Sequence, residues 1–148
     1  MRKTFPLVLV IVMLFAAGCS SDPLSDAKLQ DLFMQYMLNK GEGSKFIWEK
    51  LVELKDFKVL SKQQEGPDKA VVEISFDRTF RVDSADIEKL FPAEDLDKVF
   101  GPNKKNVLDE LAKKDIKKGQ KDATPHLQMV LEKTDAGWTV KDVGLPKK

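Results

Sequence analysis

The chain after residue 22 opens with apolar residues at helical spacing. Between residues 23 and 39 they recur three or four positions apart, on one face of an amphipathic helix: Leu29, Leu32, Phe33, Tyr36 and Met37. Asp22-Pro23 is a typical helix start, and glycines end the pattern after residue 40. A second helix is predicted over 45–55, with a buried stripe formed by Ile47, Trp48, Leu51 and Val52.

From Phe57 onward the apolar period shortens to two residues, which predicts β-strands. Phe57 and Val59 begin the first strand, and the turn residues Glu-Gly-Pro-Asp at 65–68 follow it. The second strand is predicted over 70–82, where alternate residues form one apolar face: Val72, Ile74, Phe76, Phe80 and Val82. Mostly polar residues lie between them, so one face of the sheet should be core and the other wet.

Helical spacing returns over 83–118, and two short strands follow it. Pro92 starts one helix and Gly101-Pro102 stops it, and a further helix is predicted over 103–118 with Gly119 as its C-cap. The last two strands form a hairpin whose alternating residues are Leu127, Met129, Leu131, Trp138 and Val140. The element order predicts an α+β fold, in which an antiparallel four-stranded sheet of two hairpins packs against helices.

The first 18 residues have the three-part layout of a secretory signal peptide. Arg2 and Lys3 are followed by an unbroken apolar run of 11 residues, from Leu7 to Ala17. As a helix, this run would span about 16 Å at about 1.5 Å per residue, whereas the hydrocarbon core of a bilayer is about 30 Å thick. A removed signal peptide over 1–18 therefore explains the run better than a transmembrane anchor does.

The four residues Ala16-Ala17-Gly18-Cys19 closely resemble the lipobox of bacterial lipoproteins. The resemblance implies cleavage between Gly18 and Cys19 and covalent lipid on the Cys19 thiol, with no other cofactor. Residues 19–22 would then be a short tether to the membrane. Ser20 resembles an outer-membrane address in Gram-negative cells, where the domain would face the periplasm. The alternative is an ordinary signal peptide with an incidental cysteine.

The domain over 23–148 resembles the nuclear-transport-factor-2-like superfamily. The resembling features are the two-helix start, the hairpin over 57–82 and the closing Asp-Ala-Gly-Trp-Thr-Val-Lys-Asp at 135–142. The resemblance implies a cone-shaped, cystatin-like architecture, in which helices cover a curved sheet, and small envelope lipoproteins of unknown function recur in this superfamily. The helical segment 83–118 departs from its simple pattern.

Charge and the scarcity of reactive side chains narrow the function classes. Without Arg2 and Lys3 the chain has 23 basic and 24 acidic residues, a balance that gives no reason to expect nucleic acid as a partner. His126 is the one histidine and Cys19 the one cysteine, so the sequence predicts neither a metal site nor a catalytic dyad. His126 is expected to be an exposed strand residue.

The segments on either side of Gly101-Pro102 carry opposite charge. Residues 83–100 hold six acids and two lysines, and residues 103–121 hold seven lysines and three acids. One interpretation is a basic face that contacts anionic lipid headgroups or an acidic envelope polymer. The other is a helical hairpin in which the two halves fold back on each other.

Arg78 interrupts the apolar face of the second strand. Strict alternation from Val72 to Val82 points Arg78 toward the core, where an unpaired guanidinium would be costly. In a cone-shaped fold it would hold an anionic group of a ligand. The aromatic residues expected beside such a ligand are Phe76, Phe80, Trp48 and Trp138. The alternative is a β-bulge near 77–79 that reverses the alternation and exposes Arg78.

Three functions are compatible with this sequence. The first is a non-enzymatic envelope lipoprotein whose domain binds or scaffolds an envelope protein at the membrane. The second is a carrier of a small apolar or anionic ligand, which should have a cavity of about 300 Å³ or more near Arg78. The third is an enzyme of the cone-shaped superfamily, which would use Tyr36, His126 or an acid within one pocket.

Overall fold

The computed structural model describes residues 23–124 and 126–147, which form an open antiparallel sheet packed with helices. The α+β class is therefore as predicted, with five strands in place of four. Residues 1–22, with the predicted cleavage site and Cys19, lie outside the described residues. Within the described ranges, no helix is both long enough and apolar enough to cross a bilayer.

Helix α1 (Asp26–Asn39) begins one turn later than the helix predicted over 23–39. Ser25 is its N-cap, because the Ser25 hydroxyl accepts a hydrogen bond from the Lys28 backbone N–H at 3.3 Å. The buried residues of α1 are Leu29, Leu32 and Phe33. The apolar stripe predicted from helical spacing is thus confirmed as the face that packs on the sheet.

The second predicted helix, over 45–55, has different bounds in the structure. Helix α2 (Glu42–Phe46) runs directly into a π-helical turn (Ile47–Leu51), and the backbone is extended from Val52 onward. Val52 is the first residue of a long strand, so sheet pairing replaces the last turn of the predicted helix. The π-helical turn, a rare conformation that is frequent at functional sites, carries the buried Trp48.

Five strands form one antiparallel sheet. Their bounds are β1 (Val52–Gln64), β2 (Lys69–Phe80), β3 (Lys121–Ala123), β4 (Leu127–Thr134) and β5 (Gly137–Gly144). The order across the sheet is β1-β2-β4-β5. Beside β2, strand β4 lies opposite Lys69–Ile74 and β3 lies opposite Asp77–Thr79. The three-residue strand β3 is the element that the sequence pattern did not predict.

The core lies between the sheet and the helices. Alternate residues of β2 are buried in it, which confirms the predicted face: Ala70, Val72, Ile74 and Phe76. Phe33 of α1 is fully buried, and its ring centroid lies 4.9 Å from that of Phe76 and 5.8 Å from that of Trp48. The ring of Phe57 in β1 lies 5.9 Å away. One cluster of rings therefore joins α1, the π-helical turn and two strands.

Three more helices form the segment between β2 and β3. Their bounds are α3 (Ile87–Leu90), α4 (Ala93–Phe100) and α5 (Lys104–Lys114). Two hydrogen bonds join Ser84, before α3, to Ile116, after α5. The Ser84 N–H donates to the Ile116 carbonyl at 2.8 Å, and the Ser84 hydroxyl accepts from the Ile116 N–H at 3.0 Å. The prediction that Gly119 is the C-cap of the last helix is wrong, because the C-cap of α5 is Asp115. Asp115 has a left-handed backbone conformation (φ 47°), which Asp tolerates.

A matched pair of leucines tests the packing of α1 on the sheet. Leu29 is fully buried, whereas Leu145 is 69% exposed. Leu29→Ala should lower the free energy of unfolding by about 2–5 kcal/mol, because it leaves a cavity in the core. Leu145→Ala should change it by less than about 0.5 kcal/mol. Equilibrium denaturant unfolding measures both, and similar losses in the two variants would contradict this arrangement of the core.

Candidate functional site

Arg78 lies on the helix-covered face of the sheet. It pairs with Leu54 of β1 and with Asp122 of β3, and its register with both strands is regular. The nearest bulge is in β1 rather than β2, between Lys55 and Lys58, where Asp56 has a φ of 49°. Because β2 keeps its alternation, the side chain of Arg78 points to the same side as the buried residues that precede it.

Arg78 lines a pocket at the end of the core. The pocket has a volume of about 200 Å³. Six apolar side chains and three polar ones surround it: Phe33, Met37, Trp48, Phe76, Leu127 and Val143, with Lys40, Arg78 and Thr124. An apolar wall with a few convergent polar groups is the usual composition of a small-molecule site.

Each wall of the pocket comes from a different element. Phe33, Met37 and Lys40 lie on one stripe of α1, because they are four and three residues apart. Phe76 and Arg78 are alternate residues of β2. Thr124 directly follows β3, and its backbone N–H donates to the Phe76 carbonyl at 2.9 Å. Trp48 comes from the π-helical turn.

The polar groups of the pocket are incompletely satisfied. An Arg78 Nη donates to the Asp122 carboxylate in an ion pair, with the two side chains 37% and 46% exposed. Two buried atoms have no hydrogen-bond partner in the described part of the chain, namely Arg78 Nε and Thr124 Oγ1. Thr79 Oγ1 shares this property, but Thr79 lies on the opposite face of β2. Arg78 Nε and Thr124 Oγ1 are inaccessible to solvent, so they lie behind the pocket surface, and each carries the free-energy cost of an unpaired buried polar group.

Strand β3 is held from both faces of the sheet. Asp122 reaches Arg78 on the covered face, and Lys121 reaches Asp56 on the other face, with Nζ 3.2 Å from the carboxylate. This hydrogen bond from Lys121 lowers the pKa of Asp56 below its usual value. The first two residues of this short strand are thus tied to neighbouring strands, and the hydrogen bond from the Thr124 N–H to Phe76 follows them, which positions Thr124 beside the pocket.

The structure brings together some of the predicted ligand-binding residues. Arg78, Trp48 and Phe76 line one pocket, whereas Phe80 and Trp138 do not. Trp138 pairs with Lys133, whose N–H donates to the Asp68 carbonyl. Asp68 precedes Arg78 by ten residues, which is roughly 30 Å along the strand at about 3.3 Å per residue. Phe80 pairs with Val52, beyond the pocket.

Two polar residues of the pocket, Lys40 and Thr124, were not predicted from the sequence. Lys40 could have been found from its helical spacing to Phe33 and Met37, since the three share one side of α1. Thr124 had no such signal, because its place depends on the unpredicted strand β3. Lys40 Nζ lies 5.5 Å from the centroid of the Tyr36 ring, and within the described ranges Lys40 makes no ion pair.

The residues named for an enzyme do not meet. His126 is exposed, and its Nε2 lies 3.2 Å from the Glu73 carboxylate on the uncovered face of the sheet. Tyr36 lies on α1, on the covered face, where it lines a separate pocket with Thr139 and Val140. The sheet separates His126 from Tyr36. Among the residues described here, no group of three or more His, Cys, Asp or Glu is placed to hold a metal ion.

The two oppositely charged segments do contact each other. Lys104 Nζ of α5 lies 2.6 Å from the carboxylate of Asp97 in α4, which supports the fold-back interpretation. Several exposed lysines of α5 make no ion pair with any described residue: Lys105, Lys113 and Lys114. A basic surface therefore remains on α5, but the structure shows nothing that would cover it.

Thr124 offers a test of whether its hydroxyl contributes to folding. Thr124→Val replaces a buried hydroxyl that has no partner with a methyl group, so the free energy of unfolding should stay within about 0.5 kcal/mol or rise. Thr134→Val is the matched control, because the Thr134 hydroxyl donates to the Gly137 carbonyl at 3.0 Å and its loss should cost about 1 kcal/mol. A larger loss for Thr124→Val than for Thr134→Val in denaturant unfolding would contradict this view.

We compared the chain with protein-family models, curated proteins and solved structures, and none of them matches it. No residue of the pocket therefore takes a role from a relative. Its function has to be inferred from the chemistry of its own side chains, and the resemblance to the nuclear-transport-factor-2-like superfamily stays a prediction.

Proposed function

We propose that this chain is a lipoprotein of the bacterial cell envelope whose domain binds a small ligand in the Arg78 pocket. One observation carries the binding role. Arg78 and Trp48, which are 30 positions apart in the sequence, share one pocket, in which a 37% exposed arginine side chain meets a mainly apolar wall. The leader pattern that ends in Cys19 supports the membrane anchor.

The physical case for binding is a guanidinium at the end of an apolar face. The core could avoid the cost of partly burying this charge with an apolar residue at position 78. A ligand with an anionic group would pair with the exposed part of the Arg78 side chain, and the rings of Phe33, Trp48 and Phe76 would contact its apolar part.

The size of the pocket limits what it can hold. At about 200 Å³ it is below the volume of about 300 Å³ or more expected of a carrier, which is also the lower limit of most small-molecule sites, so it would not hold a lipid chain. This size also favours a second candidate function, that of a scaffold whose pocket takes one side chain of an envelope protein. The two candidates share a site and differ in whether the occupant is free or part of a partner.

We also propose that the sheet is a variant of the cone-shaped fold. Helices cover one face, and β1 and β5 both contain bulges, which bend and twist a strand. The short strand β3 and the helices α3 to α5 would be additions at one end. In such a fold Arg78 would hold the anionic group of a ligand.

The start of the described chain is compatible with a close anchor. Leu24 is buried, and its carbonyl accepts a hydrogen bond from Lys62 Nζ at 2.7 Å. Cys19 precedes Leu24 by five residues, which can span at most about 17 Å. Lipid on Cys19 would thus keep the domain near the membrane surface, at the outer membrane of a Gram-negative cell if Ser20 acts as the sorting residue.

Changing Cys19 to serine tests the anchor. Cys19→Ser removes the thiol that would carry the lipid, so the protein should no longer have a lipid attached at its mature N-terminus. Mass spectrometry of the wild-type protein from membranes should show Cys19 as the first residue, with the added mass of acyl chains. An unmodified wild-type cysteine would refute the lipoprotein proposal.

Native mass spectrometry tests the binding role. The full chain, processed by the cell and purified in detergent, should carry a small non-covalent mass that is lost on denaturation. Arg78→Met should lose this mass, because the guanidinium is removed, whereas Lys113→Met, an equal change of charge on exposed α5, should retain it. A bare mass for the wild type would refute the ligand and favour crosslinking searches for a protein partner.

A further inference from the structure

We infer that the Arg78 pocket takes a small monocarboxylate with a compact apolar body. This inference rests on the proposed function, since it names the chemical class of the ligand that the pocket would bind. Three independent properties of the pocket point to this class: its charge, its hydrogen-bonding groups and its apolar wall.

The charge of the pocket matches a single anionic group. Of the described residues that line it, Lys40 and Arg78 are the charged ones, and both are cations. Asp122, which does not line the pocket, pairs with Arg78 and neutralises its charge. One positive charge therefore remains for a ligand, which a carboxylate would balance and a phosphate dianion would exceed.

The hydrogen-bonding groups of the pocket are mainly donors. The guanidinium of Arg78, whose side chain is 37% exposed, and the Lys40 ammonium can only donate. A carboxylate is acceptor-only and has two oxygens, so each oxygen would accept from a different group. An amide would place its own N–H₂ against donors, which would leave one of these groups unpaired.

The remaining walls are apolar and limit the size of the ligand. Phe33, Trp48 and Phe76 form an aromatic side, with Phe33 fully buried. The volume of about 200 Å³ is below that of most small-molecule sites, so the ligand must be compact. The apolar body is thus of the size of one benzene ring or a branched aliphatic group, and benzoate is a suitable probe.

The two tryptophans provide a reporter and its internal control. Trp48 lines the pocket, whereas Trp138 does not and lies five residues from the lining residue Val143 along β5, or roughly 16 Å. In the full chain as processed by the cell and purified in detergent, ¹⁵N labelling of tryptophan gives two indole signals, which the variant Trp138→Phe assigns. Sodium benzoate should shift the Trp48 indole signal in a saturable manner and leave the Trp138 signal in place.

Three comparisons separate the parts of the inference. Benzamide, the neutral analogue, should bind at least about tenfold more weakly than benzoate, because it lacks the charge that Arg78 and Lys40 attract. Inorganic phosphate, which has no apolar body, should not shift Trp48. Arg78→Met should weaken benzoate binding about 10- to 100-fold and Lys40→Met about 2- to 10-fold, while Lys113→Met should leave it unchanged.

The contrary outcomes are distinct. Equal shifts with benzoate and benzamide would overturn the monocarboxylate assignment and leave the binding role intact, and so would saturable binding of phosphate. No shift of Trp48 with benzoate, together with a ligand mass in native mass spectrometry, would overturn the ligand class alone. No shift together with a bare mass would overturn both. Lys40→Met, a change at an exposed lining residue, keeps the test decisive if Arg78→Met fails to fold.

Discussion

The alternation of side chains along β2 is the constraint on which the rest of the structure depends. This strand pairs with β1 on one side and with β3 and β4 on the other, so a slip of one residue would turn every side chain to the opposite face. Its inward residues from Ala70 to Phe76 are buried under α1. The same period places Arg78 on the covered face, because no bulge interrupts β2 before it.

The fold accommodates this arginine at the margin of the core. At Arg78 the buried part of β2 ends, and the side chain remains partly exposed while Asp122 of β3 takes one of its Nη groups. The neighbouring elements, α1 through Lys40 and the π-helical turn through Trp48, approach without filling the space. The pocket therefore exists because a central strand carries a cation at a position that its alternation turns toward the core. Asp122 pairs with one Nη group of this cation, and Nε stays unsatisfied.

The pocket and the start of the folded chain lie at different places along the sheet. Leu24 contacts Lys62, which pairs with Val72, whereas Arg78 is six residues further along β2, or roughly 20 Å. In the proposed anchoring, the lipid would hold the Leu24 region near the bilayer and leave the pocket away from it. A membrane-tethered domain with this geometry can sample small molecules or partner side chains in the envelope.

The sequence by itself determined which faces are buried. A period of two over 70–82 and a helical period over 23–39 identify the inward sides of β2 and α1, because local geometry dictates where successive side chains point. Whether Arg78 follows that period stayed open in the sequence and was decided by the regular register of β2. Which elements meet was decided by the tertiary structure. The pairing of Val52 ended the second helix early, and the three residues of β3, too few to show a period, supplied Asp122. Register and bulges then separated Trp138 from Arg78, since the distance between two inward residues depends on strand alignment and not on their local pattern.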